Sequence, residues 1–375
     1  MLQGHVFDSF LSLSIKSEGW FYTHTFVHGF TSPIFLVSSG LAFGVATFRK
    51  WEIHTVWTSA IMKRVRRYLL LLAIGYWLHL AYYSLKFMLT KLTPEQYNYL
   101  FQVDALQIIG VTLLGCQGLV YHAKSLKWYV SVILAVIAII TVSTPYLWAL
   151  DKSQWFIGIT AYIDKSTGSY FPIFPWSIYL LSGTLISYLF IRWRDVDPKK
   201  VAMRISLIGF VSFIIGKAGI EKWITPYGTG SNLEDYGTFV FLVYHNLGVI
   251  CIFIAILYLI DCLFIQTNHD LVHHSKVIKR ISTIGQETLV IYIVHLFIVY
   301  GSPLNKALLA QYRGFLNVPL AIVYFIFLAI FMYFFAINWH KFKREKPETF
   351  KRFQYIGTGL LLTLFVINNW LLSII

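Results

Sequence analysis

The sequence predicts an all-α, polytopic integral membrane protein of about eleven transmembrane helices, and three observations carry that reading. Of its 375 residues 57% are hydrophobic and 18% aromatic, and only 13% are charged. With a mean hydropathy of +0.64, this is not the composition of a soluble domain. Apolar runs of the length a bilayer requires, about 20 residues, follow one another with no room for a separate soluble domain. The loops between them alternate between strongly basic and nearly neutral.

The runs fall at 1–12, 28–47, 67–84, 103–121, 127–149, 172–192, 203–220, 237–265, 286–302, 318–339 and 355–375. The first is too short to cross and lacks the basic flank of a signal peptide. The chain is therefore expected to begin partway through a helix, with a truncated first span. The second carries Gly40 and Gly44 beside Ser38 and Ser39, a small-residue face on which helices pack closely. Such a face serves packing within one chain as well as between copies, so a homo-oligomer is possible and oligomeric state is open. Residues 1–375 read as a single transmembrane domain.

Cytoplasmic loops retain Lys and Arg, and one set of loops holds most of them: Arg49 to Arg67, Lys124 and Lys127, Arg192 to Arg204, Lys276 to Arg280, and Lys341 to Arg352. The intervening loops mix signs: Lys16 with Glu18, Lys86 and Lys91 with Glu95, Asp151 and Asp164 with Lys152 and Lys165, Lys217 and Lys222 with Glu221, Glu234 and Asp235, and Lys306 with Arg313. The alternation has no exception. The net charge of +14 is thus mainly a topology signal, with attraction to anionic lipid as its consequence. Nucleic-acid binding is not expected, because the cations are dispersed over short juxtamembrane loops. Cys116, Cys251 and Cys262 match no metal or disulfide spacing, and no metal is expected.

Polar side chains gather in the outer half. His5 and Asp8, three residues apart, share a helix face, and His28 and Thr31 open the second span from the same side. His79 and Tyr76 lie near the middle of the third run. Asp104 and Gln107 begin the fourth, Pro175 and Trp176 the sixth, His245 and Asn246 occupy the outer half of the eighth, and His295 lies near the middle of the ninth. An imidazole titrates near neutrality, and a carboxylate within reach orients it, so this set suits proton transfer. Any one of these histidines alone reads as interhelical hydrogen-bonding, worth about 1 kcal/mol. Ionisable residues inside a membrane are nevertheless functional candidates as a set. Arg64, Arg66 and Arg67 satisfy the positive-inside rule and are also candidate phosphate contacts.

The segments GHVFDSF at 4–10, HGFTSPIFLVSSG at 28–40, RVRRYLLLLAIGYWLHL at 64–80, QVDALQIIG at 102–110, FPIFPWSIYLLSG at 171–183 and TLVIYIVHLFIVYG at 288–301 occur in the order of the spans. Together they resemble bacterial membrane proteins related to the catalytic domain of heparan-alpha-glucosaminide N-acetyltransferase. Relatives precede the His5 motif with an Arg-Gly-containing half-helix that this sequence does not carry.

The resemblance implies a transmembrane acyltransferase-like fold in a bacterial cytoplasmic membrane. It implies an acyl group, usually acetyl, moving from cytoplasmic acetyl-CoA to a hydroxyl or amine of an outward-facing acceptor such as a carbohydrate, a lipid-linked glycan or a wall polymer. His5 corresponds to the family's histidine-bearing first span and His28 to its second-span signature. On this reading His5 is the general base with Asp8 orienting it, and His28 competes for the role. His245, Asn246 and His295 are candidates for oxyanion stabilisation, Asp104 and Trp176 for acceptor contact, and Arg64, Arg66 and Arg67 for the CoA phosphates. An acyl-histidine relay is a variant. A proton-coupled transporter built on the same histidines and a non-catalytic membrane scaffold are the alternatives.

Overall fold

The computed structural model describes residues 1–223, 232–265, 275–301 and 310–368. Residues 369–375 of the last expected span and Lys306 lie outside them, as do the side chains of Lys222, Glu234 and Asp235. The principal helices are α1 (Leu2–Phe10), α2 (Gly19–Gly29), α3 (Thr31–Phe48), α4 (Ser59–Leu78), α5 (Ala105–His122), α6 (Leu126–Ala149), α7 (Ile173–Arg192), α8 (Pro198–Trp223) and α9 (Asn232–Ile260). They continue with α10 (Lys276–Gln286), α11 (Thr288–Tyr300), α12 (Val318–Glu345) and α13 (Pro347–Ile367). Among the described residues there is no strand beyond a single bridge between Leu11 and Leu316.

Seven helices among the described residues are long and apolar enough to cross a membrane, or eight if the bent pair α10 and α11 forms one span. The expected count of eleven includes runs that fall outside these seven, for physical reasons. Helix α1 has nine residues, too few to cross at about 1.5 Å each. Lys63, Arg64, Arg66 and Arg67 load the first half of α4 with charge, and Glu348, Lys351 and Arg352 do the same for the start of α13. The run at 286–302 is a 13-residue helix bent by 69° from α10. Helix α4 also ends at Leu78, so His79 caps it rather than sitting at mid-span.

The chain forms two compact units, one of residues 1–29, 80–97 and 268–375 and the other of 30–79 and 98–267. In the first, Val6, Phe7 and Phe10 of α1, and Leu11 just after it, pack with Ile291 and Val299 of α11 and Ala321, Leu328 and Met332 of α12. The end of α1 is pinned by backbone bonds: Gly314 N–H donates to Ser9 O over 3.1 Å and Leu316 N–H to Phe10 O over 2.8 Å. A nine-residue helix is thereby held without needing its own stability.

In the second unit α3 and α7 meet at small residues, as the G-x-x-x-G pair predicts. A Cβ on Gly40 would stand 1.9 Å from Leu180 O, and one on Gly183 2.1 Å from Val37 O. The two backbones touch, and the seam lies within one chain. Asp104 closes a capping box at the start of α5 with Gln107. Large apolar side chains cover the outside of the helices; Phe327 and Phe334 of α12 are more than half exposed, as expected of surface facing lipid tails.

Candidate active site

The first unit brings four imidazoles together. The ring of His5 lies 5.2 Å from that of His295 and 6.3 Å from that of His28, centroid to centroid, and His28 stacks on His24 at 5.9 Å. Helix periodicity supplies part of this, since His24 and His28 are one turn apart on α2. The rest depends on α1 and α11 packing around them. A Cβ on Gly4 would stand 1.7 Å from His28 Nε2, so the His28 ring occupies space that only glycine leaves free.

Hydrogen bonding gives each ring a different state. His295 is fully buried, and its Nδ1 lies 2.8 Å from Ile291 O. A carbonyl only accepts, so Nδ1 carries the proton. Its Nε2 is buried without a hydrogen-bond partner. His5 Nδ1 lies 2.9 Å from the Tyr300 hydroxyl. Arg313 donates to the backbone carbonyls of Val299 and Tyr300, at 3.2 and 2.8 Å, and so closes the end of α11 that carries Tyr300. Both ring nitrogens of His24 are buried with no hydrogen-bond partner.

Asp8 departs from expectation. It lies on the face of α1 that carries His5, yet its carboxylate approaches His28 Nδ1, at 3.9 Å. The one-face spacing brought the pair together in projection, but the neighbouring helix supplied the nearer imidazole. Tyr300 takes the place beside His5 that sequence reasoning gave to Asp8.

The second unit holds the other candidates. Trp176 packs edge-on against Phe171 at 4.7 Å and against Tyr179 at 5.6 Å, and its indole N–H is buried without a hydrogen-bond partner. Asn246 donates to the Tyr179 hydroxyl over 3.3 Å, and its carbonyl oxygen lies 3.2 Å from His245 Nδ1. Trp176, Tyr179, Asn246 and His245 therefore form one polar aromatic group. Lys165 stands over it with Nζ 4.2 Å from the Phe239 ring centroid and 5.7 Å from that of Trp176; burial holds its ammonium pKa below the usual value. Asp104 is the N-cap of α5, with Oδ1 accepting from Ala105 N–H at 2.7 Å.

The three arginines do not act together. Arg64 is half-buried and donates to Thr47 Oγ1 over 2.7 Å and to Gln117 Oε1 over 3.4 Å, tying α4 to α3 and α5. Arg66 and Arg67 are exposed. At about 100° per residue, three cations in four positions point three ways, and only the one facing the bundle is enlisted in packing. His54, buried beside this group, has its pKa lowered by burial and then by the Arg64 charge.

The profile of the family described as "Heparan-alpha-glucosaminide N-acetyltransferase, catalytic" matches residues 1–221. The chain belongs to this family. Family membership and the apolar helices together make it a multi-pass membrane protein of an acetyltransferase family. No curated protein and no solved structure matches it. The matched stretch contains His5, Asp8, His28, the three arginines, Asp104 and Trp176, and ends before His245, Asn246 and His295. Among the described residues no group of three or more His, Cys, Asp or Glu could hold a metal ion.

Sequence reasoning missed His24, Gly4, Tyr300 and Arg313. His24 had a signal, being four residues before His28. Gly4 had one in hindsight, as a glycine beside a histidine in a helix. Arg313 had none, because its partners lie on a helix that precedes it and are backbone atoms.

Proposed function

We propose that the chain is an acetyl-CoA-dependent acyltransferase of a bacterial cytoplasmic membrane that acetylates a hydroxyl or amine of an outward-facing, carbohydrate-type acceptor. The observation that carries this reading is the four-histidine cluster, three of whose members lie within the family match. Residues 1–375 act in it as one transmembrane domain. Helices α4 and α13 count as spans despite their charged starts, because in each the cations come first and an apolar stretch follows.

In the mechanism, His5 accepts the proton of the acceptor O–H or N–H as the oxygen or nitrogen attacks the thioester carbonyl carbon. Tyr300 orients the ring through Nδ1, leaving Nε2 to act as base. A new C–O or C–N bond forms, and the carbonyl electron pair moves to oxygen. That oxyanion needs a hydrogen-bond donor, and His28, whose Nδ1 faces Asp8 at 3.9 Å, is the ring suited to presenting an N–H to it. Collapse of the intermediate expels the CoA thiolate, which takes the proton from the His5 imidazolium. Asn246 and His245, with Trp176, are suited to holding acceptor hydroxyls. Arg66 and Arg67 remain available for the CoA phosphates, whereas Arg64 supports them by fixing α4.

A second reading has support of its own. The 69° break between α10 and α11 is the kind of discontinuity from which transporters build ion sites, and His295 follows it. Purified protein in proteoliposomes decides between the two. With acetyl-labelled acetyl-CoA and a membrane glycan extract, label should pass to the extract. Proton flux into the vesicles with no consumption of acetyl-CoA would establish the transporter instead.

A further inference from the structure

Where α10 ends against the last turns of α12, the first unit contains a basic groove of about 460 Å³. Lys279, Arg280 and Thr283 line one wall, and His340, Lys341, Arg344 and Glu345 the other. Glu287, buried at the break between α10 and α11, holds the walls together: it accepts from His340 Nδ1 at 2.7 Å and from Lys343. Lys343 is thus neutralised. Lys341 has only the exposed Glu345 at 4.0 Å, a weak pairing. Lys279, Arg280 and Arg344 have no carboxylate partner among the described residues. Three free cations therefore converge on one cavity.

The surroundings identify what would neutralise them. Helix α10 is amphipathic: Val277, Ile278, Ile281 and Ile284 share a face, and Val277 and Ile281 are 64% and 63% exposed. An eleven-residue helix of this kind, bent sharply from an apolar one, lies in the plane of the membrane interface. Below the cations on α12, Ile330, Phe334 and Ile337 continue the face of Lys341 and Arg344 at i, i+4, i+7, i+11 and i+14. Ile330 and Phe334 are 53% and 58% exposed. The positive-inside rule places this end in the cytoplasm, where basic pockets between helices meet anionic headgroups. A soluble phosphate would use the cations and leave the apolar strip unexplained.

We infer that the groove between α10 and α12 is a binding site for an anionic phospholipid, with its phosphodiester held by Lys279, Arg280 and Arg344 and its acyl chains lying along Ile330 and Phe334. The inference is independent of the acyl-transfer chemistry.

Native mass spectrometry of the full chain in detergent tests it, with dioctanoyl phosphatidylglycerol, dioctanoyl phosphatidylcholine, glycerol phosphate and CoA as probes. The wild type should retain phosphatidylglycerol over phosphatidylcholine. Replacing both arginines, Arg280→Gln with Arg344→Gln, should weaken that binding on the order of tenfold. Thr283→Trp fills the groove while keeping every topogenic cation and should weaken it as much. It decides the matter alone if the double variant fails to insert. Equal retention of the two lipids, or unchanged phosphatidylglycerol binding in Thr283→Trp, would overturn the site. Tail-free glycerol phosphate or CoA displacing the lipid at equal concentration would overturn the lipid assignment.

Discussion

The two units use buried histidine in opposite ways. In the second unit His79 donates from Nδ1 to Gly75 O over 2.8 Å, with Gln107 and the Tyr99 ring against it, and His245 is engaged by Asn246. Neither ring meets a second imidazole among the described residues. In the first unit His5, His24, His28 and His295 touch one another, and His24 and His295 keep buried nitrogens without partners. An unpaired buried nitrogen has a desolvation cost of about 1–3 kcal/mol; His54 Nδ1 of the second unit bears it as well, so it is the meeting of the rings that sets the first unit apart. The comparison teaches that a histidine inside a membrane helix says little by itself. Whether it meets another ionisable group is what separates interhelical glue from chemistry.

The largest expected effect breaks this contrast most directly. A positioned general base contributes about 10²–10⁴-fold to rate, so His5→Ala should lose acetyl transfer by about that much while CoA affinity is retained. His79→Ala should instead lower the unfolding temperature and change the rate less than about tenfold. Transfer from labelled acetyl-CoA, measured beside thermal unfolding in detergent, reads both. A rate loss at His79 as large as at His5 would erase the distinction between the units. A larger loss at His28 than at His5 would move the base to α2.

A smaller effect sharpens the same contrast through backbone space. Gly4→Ala puts a methyl group where the His28 ring lies, so the ring must move away from Asp8 and His5. Overpacking of this kind costs about 1–3 kcal/mol, and transfer should fall on the order of tenfold in a protein that still inserts. Gly118→Ala on α5 meets nothing within 4 Å and should leave both rate and stability near wild type. Full activity in Gly4→Ala would mean that the position of His28 is not under catalytic constraint.

Much of this arrangement was legible in the sequence, and the rest was hidden for identifiable reasons. Hydropathy marked most of the apolar helices, because a spanning run is a local property, but it began the second run at His28 and left out α2. The runs it drew over α4, over α13 and past Glu287 are those in which charge or a bend interrupts the apolar stretch. The small-residue pair at Gly40 and Gly44 announced a close seam, although only the structure named Gly183 as its other side. The histidines were visible as a set. Which of them meet was not, since the Asp8 carboxylate chose between two imidazoles by the packing of α1 against α2, and Tyr300 reached His5 across 295 positions of chain. The arginine cluster looked like one feature, but helical rotation sends Arg64 inward and leaves Arg66 and Arg67 exposed.

The smallest effect concerns a histidine of the second unit that should register in stability and not in rate. His54 ends the short helix Trp51–His54 in a basic loop outside the spans. Burial first, and the Arg64 charge second, hold its pKa below the ordinary value. The unfolded chain binds a proton near pH 6.5, which the folded one resists. The stability that neutral His54 supports is therefore complete above about pH 6.5 and is lost as the pH falls below it towards the folded value. In His54→Gln the unfolding temperature should decline less than in the wild type between about pH 7.5 and pH 5.5, while the pH profile of acetyl transfer keeps its shape. The histidines of the first unit are common to both proteins and cancel in the difference. Parallel declines would show that His54 takes up its proton in the folded state as readily as in the unfolded one. A shifted rate profile would draw this residue, and with it the Arg64 contact, into the chemistry of the other unit.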